Sequence, residues 1–176
     1  MSSSTTIRFR EATSADAGML ASFAATTFSE TFGHLYKEAD LSSHLKDKCS
    51  LESFAEAFEM GDLMILAYDG DELVGFCKIG DVGLPVPHPP ASAQEIHRIY
   101  VRRKYHGSGL GQELLKRALA TKRLKEASLV YLGVWEENDR AKQFYYKNGF
   151  MPVGRYLYNV GQQVDNEMIL ARLQVA

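Results

Sequence analysis

Apolar and polar positions alternate along the first half of the chain in patterns that predict strands and helices. The stretch TIRFREAT alternates with a period of two and predicts a strand, and SADAGMLASFAATTFSETFG, opening with Ser14 as a helix cap, has helical spacing. LSSHLKDKCSLESFAEAFEM predicts one or two further helices. Two apolar runs around Asp69-Gly70, in DLMILAYDGDELVGFCKIGD, predict a β-hairpin.

The second half of the chain predicts strands mixed with helices. EIHRIYV predicts a strand that enters a glycine-rich turn, after which one helical face is apolar through Leu110, Leu114, Leu115, Ala118 and Leu119. LVYLGVW predicts a buried strand, and Asn138 or Asp139 would cap a helix that continues through Lys147 and ends at Asn148-Gly149. FMPVGRYLYNV and VDNEMILARL predict two final strands. The pattern indicates a mixed α/β class around one sheet.

The segment DVGLPVPHPPASAQ, residues 81–94, carries four of the five prolines and cannot form a helix or a central strand. We interpret it as an excursion between two strands. The alternative, a linker between two domains, would leave each part small for an independent core. Residues 1–5 are predicted to be a disordered tail, and residues 6–176 to form one domain.

Composition limits the binding partners and the cellular compartment that we expect for the protein. A formal net charge of −2 gives no general attraction to nucleic acid, and the RRKYH string is too short to change that expectation. Only Cys49 and Cys77 occur, with neither a signal-peptide core nor a membrane-length apolar run, so we expect a cytoplasmic protein that binds no membrane. The five histidines and two cysteines lack metal-ligand spacing, so no metal is predicted.

Three glycines, Gly107, Gly109 and Gly111, stand where a strand gives way to a helix. Unpaired backbone N–H groups at a helix N-terminus attract anions, and glycine lets a phosphate approach them. The cationic residues just before the glycines add positive charge: Arg102, Arg103, Lys104 and His106. A dinucleotide fingerprint would need glycine at Gln112, and a P-loop would need a Gly-Lys-Ser/Thr ending. A tight turn without any ligand is the alternative interpretation.

A second segment, considered together with the glycine motif, indicates a family. The loop 106–111 and the series Asn138, Ala141, Phe144, Tyr145, Gly149 and Phe150 together resemble the GCN5-related N-acetyltransferase superfamily. The resemblance implies a single, mixed, mostly antiparallel sheet flanked by helices, with a splayed cleft for acetyl-CoA. His106 departs from the Arg or Gln that is usual there. HRIYVRRKYHGSGLG, LGVWEENDRAKQFYYKNGF and TFSETFGH further resemble the PaiA-type branch, which acetylates polyamines such as spermidine.

The resemblance implies a set of cofactor-binding residues. The main chain of Ile99, Tyr100 and Val101 would pair with the pantetheine arm, and an amide near Val101 would polarise the thioester carbonyl. Asn138 would contact the cofactor near its pantetheine. The pyrophosphate would be held by the loop residues His106, Gly107, Ser108, Gly109, Leu110 and Gly111. Further candidates are Asp139, Arg140 and Lys147.

Acetyl transfer to an amine also needs a proton acceptor and a proton donor. The resemblance implies Tyr145 as the general acid, with an ordinary core tyrosine as the alternative. Glu95, at the start of the cofactor strand, is the first candidate for the base, and its rivals are Glu136, Glu137 and His97. Substrate-binding candidates are Phe32, His34, Tyr36 and Glu136.

We therefore expect an enzyme that transfers acetyl from acetyl-CoA to a primary amine of a small molecule, a polyamine first. An amino acid, a peptide N-terminus or an aminoglycoside-like amine is the second substrate class. A non-catalytic acyl-CoA-binding sensor is the alternative from another functional class. The sequence leaves the oligomeric state open, with a homodimer as one option.

Overall fold

Seven strands form one sheet in the computed structural model, which describes residues 6–174; the predicted tail, residues 1–5, lies outside them. The strand order is β1-β2-β3-β4-β5-β7-β6, and all six neighbouring pairs are antiparallel except that of β4 with β5. This confirms the predicted mixed, mostly antiparallel sheet. The strands are β1 Ile7–Glu11, β2 Leu63–Asp69, β3 Glu72–Gly80, β4 Gln94–Val101, β5 Leu129–Trp135, β6 Met151–Val160 and β7 Gln163–Leu173.

The helices cover both faces of this sheet. They are α1 Ala17–Phe32, α2 Glu38–Lys48, α3 Leu51–Glu59, α4 Leu110–Ala120, α5 Lys122–Lys125 and α6 Asp139–Lys147, with 3-10 turns at Ser14–Asp16, Gly33–Leu35 and Arg103–Tyr105. One prediction was wrong in detail: Ser14 is not a helix cap, because Thr13 is the N-cap of the 3-10 turn and Asp16 is the N-cap of α1. Ser14 belongs to the 3-10 turn that precedes α1, and the N–H of Thr13 donates to Asp16 Oδ2 at 2.8 Å.

Two hydrophobic clusters hold the layers together. On one face, α1 and α3 pack against β2 and β3 through residues such as Leu20, Phe54 and Phe76. On the other, α4 and α6 pack against the sheet around Leu114 and Phe150. Each fully buried side chain of this size contributes about 1.5–3 kcal/mol of transfer free energy, so both helical layers are firmly attached.

The parallel relation between β4 and β5 is short. Only Gln94 with Val130 and Glu95 with Tyr131 are paired, whereas β4 pairs with β3 from Glu95 through Val101. Beyond Glu95 the two strands therefore part, and β4 presents an unpaired edge toward β5. Because strand backbone groups need partners, this edge is available to an added ligand or chain.

The predicted β-hairpin and the predicted proline-rich connection between two strands are both present in the structure. β2 and β3 pair around Asp69 and Glu72, with Gly70 at φ 60° in the turn. The proline-rich segment, helix-free and strand-free over residues 81–93, connects β3 to β4, which pair with each other. Among residues 6–174, no helix has both the length and the apolar character needed to cross a bilayer.

Candidate active site

A cleft of about 1390 Å³ opens where β4 and β5 part. Gly107, Gly109 and Gly111 line one end, beyond the last residue of β4. The other end is lined by aromatic and charged side chains from β5, β6, β7 and the segment after α1. Fourteen predicted residues border this cleft: Phe32, His34, Tyr36, Glu95, Ile99, Tyr100, Val101, His106, Gly107, Gly109, Gly111, Asn138, Arg140 and Tyr145.

The glycine loop has the backbone geometry of an anion site. Gly107 and Gly109 have φ values of 81° and 89°, which side chains rarely tolerate. Gly109 is the N-cap of α4, so the helix directs its first N–H groups toward the cleft end. A Cβ on Gly111 would meet no protein atom within 4 Å, so open space lies beside this first turn.

His106 and Arg140 connect α6 to the glycine loop. His106 Nε2 lies 2.9 Å from the carbonyl oxygen of Val101, and His106 Nδ1 lies 3.1 Å from Arg140 Nη1. A guanidinium can only donate, so Nδ1 is the acceptor and Nε2 carries the hydrogen. The arrangement holds a cationic side chain at the loop although the usual Arg or Gln is absent from position 106.

Five predicted residues do not border the cleft, and each has a local reason. The Ser108 hydroxyl donates to the carbonyl of Tyr105 at 2.7 Å, and the Leu110 side chain is in the core. Asp139 pairs with Lys142 at 2.8 Å, and Lys147 is exposed on α6. Glu136 forms an ion pair with Arg155 at 3.0 Å, which directs its carboxylate away from the cleft.

Helix α6 presents Asn138 and Tyr145 to the middle of the cleft. Asn138 caps the helix, its Oδ1 accepting from the N–H of Ala141 at 3.1 Å. Tyr145 lies seven residues further on, about two helical turns, and therefore on the same face. Its ring packs against Phe144 and Phe150, and burial raises the pKa of the Tyr145 phenol. The phenol is thus protonated at neutral pH and can donate.

Glu95 lies in the cleft wall at the start of β4 and is 8% exposed. Its Oε2 accepts from the N–H of Gly83 at 2.7 Å and from the N–H of Leu84 at 3.1 Å. The same oxygen lies 4.0 Å from His97 Nε2. The carboxylate therefore anchors the proline-rich segment to β4 as well as facing the cleft.

Aromatic rings from separate elements enclose the far end of the cleft. Phe32, at the end of α1, packs edge-on against Trp135 at the end of β5, with ring centroids 6.3 Å apart. The Tyr36 hydroxyl donates to Asp165 Oδ2 on β7 at 2.5 Å and so ties the segment after α1 to the sheet. His34 lies at the rim with an exposed side chain.

Sequence reasoning missed Glu167, a cleft residue on β7. It pairs in register with Trp135 on β5 and with Tyr156 on β6. Burial, with a smaller contribution from Asp165, raises the pKa of Glu167 to about 7, and a hydrogen bond from Tyr156 opposes that increase. The sequence VDNEMILARL contains the evidence for a carboxylate on this face of the sheet. Asp165, Glu167 and Ile169 stand at every second position and therefore share one face of the strand.

Arg98 on β4 was also missed, and it makes the opposite wall cationic. Its Nη2 donates to the carbonyl of Lys48 at 2.7 Å, and its guanidinium stacks over the Tyr100 ring at 5.7 Å from the centroid. The neighbouring cation, Lys78, is paired with Asp62 at 3.0 Å. Arg98 thus offers the cleft a guanidinium held by a neutral carbonyl.

An α/β sheet parted at a parallel strand pair, with a glycine-capped helix at the opening, defines a protein that binds an anionic cofactor. Residues 25–150 match the family described as the acetyltransferase (GNAT) family. The chain belongs to the GNAT family and is an acetyl-CoA-dependent N-acetyltransferase. Acetyl-CoA is its cosubstrate. Within residues 6–174, no three His, Cys, Asp or Glu side chains are grouped as potential metal ligands.

Individual relatives agree with this assignment. An uncharacterized N-acetyltransferase of Mycobacterium tuberculosis is 30% identical over 161 residues, which cover 89% of this chain and 97% of the relative. A spermidine N(1)-acetyltransferase of Thermoplasma acidophilum is 26% identical over 149 residues, 82% of this chain and 88% of that protein. The crystal structure of the PaiA N-acetyltransferase of Thermoplasma acidophilum in complex with coenzyme A has a TM-score of 0.76 at 22% identity and covers 96% of this chain and 99% of that one. It shows the same fold.

The raised pKa of Glu167 predicts a pH-dependent effect of Glu167→Gln on stability. Above pH 7 the native state must hold a buried carboxylate, whereas below pH 7 the group is protonated and neutral. Glutamine removes the cost of the charge, so the free energy of unfolding should increase more at pH 8 than at pH 5, by about 2 kcal/mol. Urea denaturation at both pH values measures it. An equal effect at both would contradict the assigned environment.

Proposed function

We propose that the chain acetylates a primary amine of a small cationic molecule, and that polyamines such as spermidine are its first substrate class. The observation that carries the proposal is the continuous cleft, which joins a glycine-capped helix to an end containing carboxylates and aromatic rings. An anionic cofactor suits the first end and a cationic amine suits the second. Tyr145 lies between them.

The cofactor would lie along β4. Its pantetheine would pair with the open backbone edge at Ile99, Tyr100 and Val101, as an added strand pairs with a sheet. Its pyrophosphate would meet the N–H groups of the glycine loop, with Arg140 supplying charge from α6. Asn138 would face the pantetheine. The helix dipole and the guanidinium favour the same end of the cofactor.

Transfer would proceed by direct attack of the amine nitrogen on the thioester carbon. The tetrahedral intermediate would collapse with loss of the thiolate, and Tyr145 would protonate the sulfur. Its protonated state at neutral pH supports this role. The base predicted from the sequence is Glu95; the cleft holds a second carboxylate, Glu167, for the same task.

The acidic and aromatic end supports a cationic substrate. Trp135, Tyr36 and Tyr156 present rings to the space beside Glu167, and such rings attract ammonium groups. The Thermoplasma acidophilum relative named as a spermidine acetyltransferase points to the same substrate class.

Arg98 favours a second candidate, an amine that also carries a carboxylate, such as an amino acid or a peptide N-terminus. Its guanidinium faces the cleft and is held by a backbone carbonyl, as described above. A substrate carboxylate could pair with it while the amine faces Glu95 and Glu167. A polyamine would instead have to avoid this cation.

Release of free CoA thiol from acetyl-CoA, measured across spermidine, spermine, amino acids, short peptides and aminoglycosides, tests the substrate class. We expect release that depends on a polyamine. Release with amino acids or peptides alone would replace the polyamine by the second candidate, and no release with any amine would contradict the proposed acetylation.

Gly111→Val should weaken acetyl-CoA binding at least tenfold, about 1.4 kcal/mol, because the new side chain would occupy the open space beside the first turn of α4. The matched control is Gly18→Val, since Gly18 is likewise the second residue of a helix, α1, and lies away from the cleft. Calorimetric titration with acetyl-CoA measures both. Equal affinity of the two variants for acetyl-CoA would show that this loop does not bind the pyrophosphate.

Tyr145→Phe should lower turnover by a factor of about 10²–10⁴, the usual range for loss of a general acid, with acetyl-CoA affinity nearly unchanged. Tyr146→Phe on the same helix is the control. Steady-state kinetics give the turnover number, and calorimetry gives the affinity. If both variants turn over like the wild type, Tyr145 serves only packing.

A further inference from the structure

Glu167 lies at a different point of the cleft from Glu95, and its position distinguishes the two carboxylates. Its strand, β7, lies on the far side of β5 from the cofactor strand β4, and its side chain reaches the cleft. Glu95 pairs with Tyr131 where β4 and β5 meet. β4 contains an extra residue at His97, where its pairing with β3 shifts register, so counting along both strands places Tyr100 level with Trp135, and Trp135 pairs with Glu167.

This register places Glu167 nearer than Glu95 to the proposed thioester position. Four steps of strand span about 13 Å, so Glu95 lies more than a side chain's length back along β4 from Tyr100. Glu167 lies at the level of Tyr100, with the cleft between them. An amine that attacks a thioester held at Tyr100, beside the Val101 amide, would therefore meet Glu167 at the opposite wall.

The surroundings of Glu167 are acidic, phenolic and largely buried. Tyr156 on β6 pairs in register with it and lowers its pKa, and Asp165 lies two residues away on the same face of β7. Asp165 is already engaged by Tyr36 and by Gln163 Nε2, the latter at 2.9 Å. The other titratable or charged groups that face this space are Tyr36, Glu95, His97, Arg98, Tyr100 and Tyr158.

The carboxylates of Glu95 and Glu167 make different contacts with the rest of the protein. One oxygen of Glu95 accepts from two loop amides, those of Gly83 and Leu84, so this carboxylate holds a chain segment in place. Glu167 instead lies in register with Tyr156, whose phenol lowers the pKa of Glu167. Tyr156 itself fits because residue 133 is glycine: a Cβ there would lie 2.5 Å from the Tyr156 hydroxyl oxygen.

We propose that Glu167 binds the ammonium of the amine substrate and accepts the proton that must leave before the nitrogen attacks the thioester. This proposal rests on the proposed acetyl transfer. An N–H bond of the ammonium breaks and an O–H bond forms on Glu167, which later releases this proton to solvent. The nitrogen then bonds to the carbonyl carbon and the C–S bond breaks. Tyr145 protonates the sulfur and is reprotonated by the second proton lost from nitrogen.

The test is the pH profile of kcat/KM for the amine between pH 5 and pH 9, at saturating acetyl-CoA. The wild type should lose activity on the acid side with a midpoint near 7, because Glu167 must be ionised to accept a proton. Glu167→Gln should lower kcat/KM at least 100-fold and remove this step. The remaining activity of this variant should follow the fraction of free amine, because only the neutral amine can attack without the base. Glu167→Asp should retain more activity than Glu167→Gln.

Tyr156→Phe tests the role of Glu167 as the proton acceptor, because a purely structural role of Glu167 would leave the midpoint of the pH profile unchanged. The Tyr156 hydroxyl favours the ionised carboxylate, so losing it should shift the acid-side midpoint to higher pH. Glu126→Gln, on the surface beside α5 and paired with Lys122, is the control and should leave the profile unchanged. A wild-type profile in Glu167→Gln would overturn the proposal.

A failure of the proposed acetyl transfer can be distinguished from a failure of the proposal for Glu167. If no amine supports CoA release by the wild type, acetyl transfer to these amines fails. Calorimetric binding of spermidine to the acetyl-CoA-free protein then tests Glu167 directly. Weaker binding by Glu167→Gln than by the wild type and Glu126→Gln would support an ammonium site at Glu167, and equal binding by all three would overturn it.

Discussion

The parting of β4 from β5 is the constraint on which the rest of the structure depends. Two parallel neighbours in one sheet normally satisfy each other's backbone groups, yet here the pairing stops after Glu95. Packing of α1 and α3 on one face and α4 on the other holds β4 in place through β3. The sheet can therefore keep an open edge without collapsing, and that edge forms one wall of the cleft.

The ends of the cleft follow from the same parting. β4 continues into the glycine turn and α4, so the positive end of a helix is delivered to the mouth beside Val101. β5 continues toward α6, which brings Tyr145 and Arg140 to the other wall. The antiparallel pairing of β5 with β7 adds Glu167 at the level of Trp135. In the proposed reaction, the groups that face the cofactor and the groups that face the amine thereby lie on different strands.

Much of the architecture could be predicted from the sequence because its signals are local. The Asp69-Gly70 turn, the glycine-to-helix junction and the Asn138 cap each depend on residues within a few positions of one another, and the motif series 106–111 and 138–150 identifies the family. The cap was wrongly assigned to Ser14 because a 3-10 turn capped by Thr13 precedes α1, and the contact of Asp16 with the N–H of Thr13 stabilises that turn. Glu167 was missed because its burial depends on β5 and β6, which are distant in sequence. Arg98 was missed for the same reason, since Lys48 holds it from α2.

Hydrogen exchange of the backbone amides, with and without acetyl-CoA, tests most directly whether the cofactor occupies the cleft between β4 and β5. The account predicts slower exchange on binding in the β4 segment 99–101 and in the glycine loop 107–111, with β1 unaffected. Protection confined to other segments, or saturating binding without protection in either of these two, would contradict it.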